Sequence, residues 1–364
     1  MEFPTAMDAI LQRIDCVQPL LYHYTRNYID GSVSYLSPYL SRGVVSTRYV
    51  VHRLLYQLQY TPTQLHTFIK EIAWREYWQR VWQHKGDAIL HDMRNPQLPI
   101  RSKGIPDAVV HHHTGIQSID TAIKSMYQHG YMHNHLRMYT AALVCNIAQC
   151  HWLSGAKWMY YHLLDADPAS NMLSWQWIAG TNSHKKYIAN QDNINKYTYS
   201  NQKLSFLDYA YDQILENPTP DILQRILHFE ELSVLPRTSF PNVDMNLPTV
   251  IYNPFQLDPF WKADIHANRI LLLEPSLFAK FPMSSHTIQF ILNLAKNIST
   301  IQVFSGEFAD LQFILGDRVY YKVHPTTLHY TGIGSDYEFL FQTNDYFTSF
   351  SKYWKQCEYE MKKW

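Results

Sequence analysis

Asn134, Arg137 and Met138 stand at i, i+3 and i+4 in HGYMHNHLRMYTAALV, so one helix face carries an amide, a guanidinium and a thioether. Twenty-eight residues beyond Arg137 comes DADPASNMLSWQW, with Asp165 and Asp167. With Gly130, these residues offer a charge pair and polar groups around a cavity. The same residue types also suit a plain helix–helix ion pair with an aspartate N-cap, and composition alone favours that reading.

The combination of motifs changes the weighting. TGIQSIDTAIKSMYQHGYMHNHLRM, then LLDADPASN, then WQW, resemble the FAD-binding domain of the photolyase/cryptochrome family. Upstream, SYLSPYLSRGVVS and EIAWREYW resemble two further blocks of that domain, in the same order. The resemblance covers roughly residues 20–180. It implies a helical architecture with a folded-back FAD in a central cavity. Ser34 and Ser37 correspond to a phosphate-contacting turn, where hydroxyls and N–H groups near a helix start suit a pyrophosphate. Val33 stands where the family often has a threonine, and Tyr22 corresponds to the aromatic residue before that turn. Asn134, Arg137, Asp165 and Asp167 correspond to flavin-ring and ribose contacts. A reduced, anionic ring needs a positive partner, and a desolvated Arg137 needs a carboxylate. Asn171 corresponds to the residue facing flavin N5, where repair enzymes of the family carry Asn. By itself, Asn171 also suits the closing of the turn after DADPAS.

Glu71, Trp74, Met138 and Trp177, with Asn134 beside them, match positions that line the family's cavity for a flipped-out cyclobutane pyrimidine dimer. Two indoles can hold an unstacked dimer at about 1–3 kcal/mol per base, and flipping costs least at a damaged base. A tryptophan on an amphipathic helix is otherwise ordinary core. His135 stands where many relatives have Arg, and the His-Pro-His signature of (6-4) photoproduct repair is missing. Trp175 and Trp152 match the first two members of the family's electron-relay triad. No Trp lies between Trp82 and Trp152, so the third is missing, and the relay is expected to stop early or to use Tyr127, Tyr160 or another Trp. After WQW the family pattern gives way to IAGTNSHKKYIANQDNINKYT, where Lys185 and Lys186 could meet phosphate. Glu71, Asn171, Trp175 and Trp152 form the candidate catalytic set. The implied activity is that of a deoxyribodipyrimidine photolyase, a light-driven carbon–carbon lyase acting on damaged DNA, single- or double-stranded. A cryptochrome-like blue-light sensor and a DNA-binding flavoprotein without repair activity are the alternatives.

These residues need elements to hold them. Apolar residues recur at three- and four-residue spacing in HTFIKEIAWREYWQRVW and NHLRMYTAALVCNIAQCHWL, which predicts helices. Residues 1–232 read as an all-helical FAD-binding domain ending in a helix over 219–232, with a Pro- and Gly-punctuated connection over 84–113. Residues 233–248 read as a linker. From 249 to 364 the short runs TVIYNPF, RILLLE, TIQVFSG and RVYYKVHP alternate with the helical patterns SSHTIQFILNLAKN and EFADLQFIL. That alternation predicts a small α/β domain with a parallel sheet. The expected fold class is therefore multidomain, α followed by α/β. VIYNPFQLDPFWK and RILLLEPSLFAKFPMS resemble the first two strands of the family's antenna domain, here in permuted order, and nothing in them defines an antenna chromophore.

Composition bounds the rest. Thirty-one Lys and Arg balance 31 Asp and Glu, yet twelve basic residues face six acidic ones between Arg42 and Arg137, a local surplus suited to phosphates. No GxGxxG or P-loop follows any strand run. Four cysteines without a CxxC pair read as reduced thiols, not as a disulfide frame or a metal site. The N-terminal stretch has no apolar core of a secretory signal, and no run of about 18 apolar residues spans a membrane. A cytoplasmic monomer is the expectation.

Overall fold

The structure, a computed structural model, describes residues 2–183, 185–343 and 345–364. The first part is built of helices α1 (Met7–Asp15), α2 (Pro19–Thr25), α3 (Ser37–Ser41), α4 (Thr47–His52), α5 (Pro62–Lys85), α6 (Asp107–Val110), α7 (Gln117–His129), α8 (Asn134–Ala142), α9 (Trp152–His162), α10 (Pro168–Ala179), α11 (Gln191–Thr198) and α12 (Tyr211–Ile214). The longest, α5, starts from a capping box in which Thr61 and Gln64 satisfy each other's backbone N–H groups, with Pro62 in the first turn. Asp167 caps α10 by accepting the Ser170 N–H at 2.6 Å, and Gly180 ends that helix at a left-handed φ of 84°.

Strands β1 (Ile105–Pro106) and β2 (Ile226–Leu227) form a small antiparallel pair. This pair replaces the helix expected over 219–232, where only a single 3₁₀ turn forms at Asp221–Leu223. Pro218 and Pro220 precede it, and the Arg101 guanidinium takes the carbonyls of Leu223 and Gln224 at 2.9 and 3.0 Å, acceptors that a continuing helix would use itself.

The expected parallel sheet is present. Strands β3 (Thr249–Tyr252), β4 (Asn268–Leu273), β5 (Ile301–Ser305), β6 (Val319–Lys322) and β7 (Ile333–Ser335) lie in the order β5-β4-β3-β6-β7, every neighbouring pair parallel. Helices α13 (Pro275–Lys280), α14 (Ser285–Ala295) and α15 (Phe308–Leu311) accompany it; EFADLQFIL makes only the single turn of α15. β4 is buried on both faces, which is why Ile270–Leu273 is apolar at every position. Val250, Tyr252, Leu271 and Leu273 face a core continuous with the helices, whereas Ile251, Ile270 and Leu272 meet Phe304, Phe308 and Tyr330 on the far side. The crevice where the strand order reverses, beyond β3 and β6, is filled by His324 stacked on Phe255 at 5.3 Å and set edge-on to Trp82 at 5.0 Å.

Two features tie the sheet layer to the helices. The fully buried Arg42 donates to the carbonyls of Leu164, Ala166 and Pro254, and its own carbonyl accepts the Leu257 N–H. Its neighbour Gly43 sits at a φ of 60° against the Phe255 carbonyl, which a Cβ would strike at 2.3 Å. The chain then returns to the helical part: α16 (Phe350–Met361) packs along α5, and buried Glu76 of α5 accepts from Leu340 N, Phe341 N and the Tyr353 hydroxyl. The range 249–364 expected to make the α/β unit therefore splits, its last segment joining the helical layer.

Candidate functional site

A cavity of about 510 Å³ opens among the helices, within the usual range for small-molecule sites. α2 contributes Tyr22; the turn before α3 contributes Val33 and Ser34, and α3 itself Ser37; α5 contributes Glu71 and Trp74. α8 supplies Asn134, Arg137 and Met138, and α10 with its preceding turn supplies Asp165, Asp167, Asn171, Trp175 and Trp177. Among the sequence-derived candidates, Trp152 lies outside the lining, as do Tyr127, Tyr160, Lys185 and Lys186.

Arg137 and Asp165 make an ion pair at 2.9 Å, and the guanidinium is braced by the Met132 carbonyl at 2.7 Å. Burial raises the Asp165 pKa, but Arg137, the nearby Ser37 hydroxyl and Arg75 outweigh burial, so the carboxyl is held below its ordinary value. Asp167 is doubly engaged: besides capping α10, it accepts from the Gln79 amide. The plain capping reading thus holds for Asp167 together with its place on the cavity wall. Tyr35, also on the wall, takes a left-handed φ of 53°, a strained backbone that the turn between Val33 and Ser37 imposes.

The other side of the cavity is aromatic. Glu71 faces Arg26 at 3.5 Å, and burial pushes its carboxyl above the ordinary value against the pull of Arg26 and Lys70. Trp177 stands at the mouth, 38% exposed. Trp74 is stacked face to face on Phe350 of α16 at 3.6 Å and 10°. Asn171 donates its amide N–H to the Ala156 carbonyl at 2.8 Å, and among the described residues no protein donor reaches its Oδ1. The Trp175 ring packs on Gly155, one turn along α9 from Trp152; Trp152 is fully buried and its indole Nε1 donates to Asp92 at 2.7 Å.

Sequence reasoning missed Arg26, Arg75 and Ser170, which also line the cavity. Arg75 was within reach, standing four residues after Glu71 on the same helix face. His135, singled out as a replaced arginine, is turned to the Asn27 carbonyl at 2.8 Å and stacked on Tyr139, outside the lining.

The lining suits a large ligand that is polar at one end and aromatic at the other. Two buried oxygens on it, Asp165 Oδ1 and Ser170 Oγ, have no hydrogen-bond partner among the described residues, a costly state unless a ligand or water serves them. Hydroxyls at Ser34 and Ser37, a braced guanidinium and unpaired acceptors fit the phosphate, ribose and ring edges of FAD.

Comparison with known proteins agrees with this fit. Residues 68–205 match the family model for the FAD binding domain of DNA photolyase. The chain is 32% identical over 167 residues to the deoxyribodipyrimidine photo-lyase of Streptomyces griseus, covering 43% of this chain and 35% of that protein. It is 30% identical over 162 residues to that of Agrobacterium fabrum, covering 41% and 32%. Among solved structures, a bacterial class III photolyase from Agrobacterium tumefaciens overlays with a TM-score of 0.42 at 28% identity, covering 48% of this chain and 38% of that one. The helical part of the chain, over residues 68–205, is thus similar to the FAD-binding domain of the photolyase family. The chain spans about a third of the length of these two curated relatives.

Proposed function

We propose that this protein repairs DNA, splitting cyclobutane pyrimidine dimers under blue light by electron transfer from reduced FAD. The observation that carries the reading is that Glu71, Trp74, Met138 and Trp177 line the same cavity as Arg137, Asp165 and Asn171. Reduced FAD, when bound, supplies light absorption and one electron to lend. Arg137 keeps a positive charge against the flavin edge, and Asp165 keeps Arg137 in place and offers Oδ1. Ser34 and Ser37 hold phosphate. Asn171, its N–H tied to Ala156, presents an acceptor oxygen to a protonated flavin nitrogen. Trp177 offers an indole face at the mouth on which a flipped base can stack. Glu71, with its raised proton affinity, donates a hydrogen bond to a pyrimidine carbonyl when protonated and so favours the dimer once it carries the extra electron. Exposed basic residues within the stretch from Arg42 to Arg137, among them Arg48, Lys85, Arg94, Lys103 and Lys124, support docking of the strand by its phosphates.

A second reading, a blue-light sensor, is favoured by one observation. Phe350 of α16 stacks on Trp74, so the C-terminal helix touches the wall of the cavity itself. Light-dependent loss of dimers from a damaged oligonucleotide, with the purified protein carrying reduced FAD, separates the two. Repair supports the first reading; flavin photoreduction without dimer loss supports the second.

A further inference from the structure

The relay tryptophans leave a question of where the charge rests. Trp152 is fully buried, and the chain has no tryptophan between Trp82 and Trp152 to carry an electron hole onward to solvent. Its indole Nε1 is nevertheless not in apolar surroundings: it donates to Asp92 Oδ1 at 2.7 Å. The other oxygen of Asp92 accepts the Gln97 N–H at 2.9 Å, and the Gln97 side-chain carbonyl accepts the Trp152 backbone N–H at 2.8 Å, so carboxylate and indole are held in register from both ends. Asp92 keeps 24% of its side chain exposed and lies 3.6 Å from Nε2 of His151, itself 21% exposed. The His151 Nδ1 accepts the Leu153 N–H, which leaves Nε2 as the nitrogen that carries hydrogen toward Asp92.

We propose that Asp92 is the proton acceptor for oxidised Trp152, so that the relay ends on a neutral indolyl radical inside the protein. The inference rests on reading Trp175 and Trp152 as the start of the electron relay. The oxidant is the light-excited oxidised flavin of FAD, which takes an electron from Trp175; Trp152 then refills Trp175 and is left one electron short. An indole that has lost an electron is far more acidic than neutral indole. Its Nε1–H bond breaks, an O–H bond forms on Asp92 Oδ1, and the hydrogen bond reverses direction. No atom leaves the protein, and the return of the electron to Trp152 draws the proton back. Held on the partly exposed Asp92 carboxyl, that proton leaves the oxidised indole neutral in place, a job otherwise done by a further tryptophan nearer the surface, which the segment between Trp82 and Trp152 lacks.

The test is transient absorption after a blue flash on the full-length protein carrying oxidised FAD, in H2O and in D2O. The wild type is expected to show a tryptophan radical cation converting to the neutral radical, with the conversion slowed in D2O. Asp92→Asn keeps an oxygen to accept the indole N–H but no group that holds its proton; the radical stays a cation and its lifetime falls about tenfold. Asp92→Glu restores the neutral radical. The proposal is overturned if Asp92→Asn still forms the neutral radical at the wild-type rate, or if the wild type shows no isotope effect on the conversion. Should neither variant fold, absence of the isotope effect in the wild type still overturns the proposal. Absence of any tryptophan radical in the wild type overturns the relay reading and this proposal with it, a result distinct from a radical that ignores Asp92.

Discussion

At the scale of single residues, the cavity is governed by two carboxyls displaced in opposite directions. Asp165 is held below its ordinary pKa, so the stability it contributes with Arg137 is complete above the ordinary carboxylate range and is lost as pH falls through the lowered value. Arg137→Ala leaves burial opposed only by weaker partners. The Asp165 pKa then rises, stability at pH 7 drops by about 3 kcal/mol, and part of it returns as acid protonates the carboxyl. Thermal unfolding across pH checks the sign, and flavin content should fall in parallel. Glu71 is displaced upward. If its protonated form donates to the dimer, preference for damaged over undamaged strands declines as pH rises through the raised value, and Glu71→Gln flattens that dependence. Binding titrations on matched oligonucleotides at several pH values read this out; an equally steep profile in Glu71→Gln assigns the titration elsewhere. The helix face carrying Asn134, Arg137 and Met138 was legible because i, i+3, i+4 spacing survives folding unchanged. Ser170 was not, because a serine in the first turn of a helix looks like routine capping until its hydroxyl is seen buried without a partner among the described residues.

At the scale of elements, α9 and α10 approach so closely that Gly155 has no room for a side chain: a Cβ there would lie 2.5 Å from the Trp175 ring. Gly155→Ala is therefore expected to cost about 1–3 kcal/mol by overpacking. It should also lower flavin occupancy, because Trp175 can yield only toward the cavity or by parting the two helices. A Tm and a flavin content both equal to wild type would contradict this. Long helices such as α5 were readable from periodicity and capping residues. The two-residue strands β1 and β2 were not, since nothing with a period fits into two residues, and the stretch after Pro220 carries enough apolar residues to imitate a helix. Its true conformation is set by Arg101, more than a hundred residues earlier. The stacking of Phe350 on Trp74 was equally invisible, because it joins helices at opposite ends of the chain.

At the scale of the whole molecule, the sheet layer supports the cavity without lining it. Arg42 holds the carbonyls of Leu164 and Ala166, on either side of Asp165, and reaches Pro254 just after β3. Arg42→Ala leaves these buried carbonyls without a donor, at about 1–3 kcal/mol for each left unpaired. Flavin affinity should fall although residue 42 is not on the cavity wall, and calorimetry with a flavin titration measures both effects. The parallel sheet was legible from strand runs alternating with helical patterns; the return of the C-terminal segment to α5 was not, because Glu76 reads as an ordinary surface glutamate until Leu340, Phe341 and Tyr353 are seen to converge on it. The central claim is that one cavity serves both the flavin and a pyrimidine dimer. It is tested most directly by illuminating the full-length protein carrying reduced FAD with an oligonucleotide that contains a single cyclobutane dimer, and counting intact dimers against a dark control. The account predicts catalytic, light-dependent dimer loss that Trp177→Ala weakens while flavin content stays at the wild-type level. Full flavin loading with no dimer lost under light, and equal binding of damaged and undamaged strands, would contradict it.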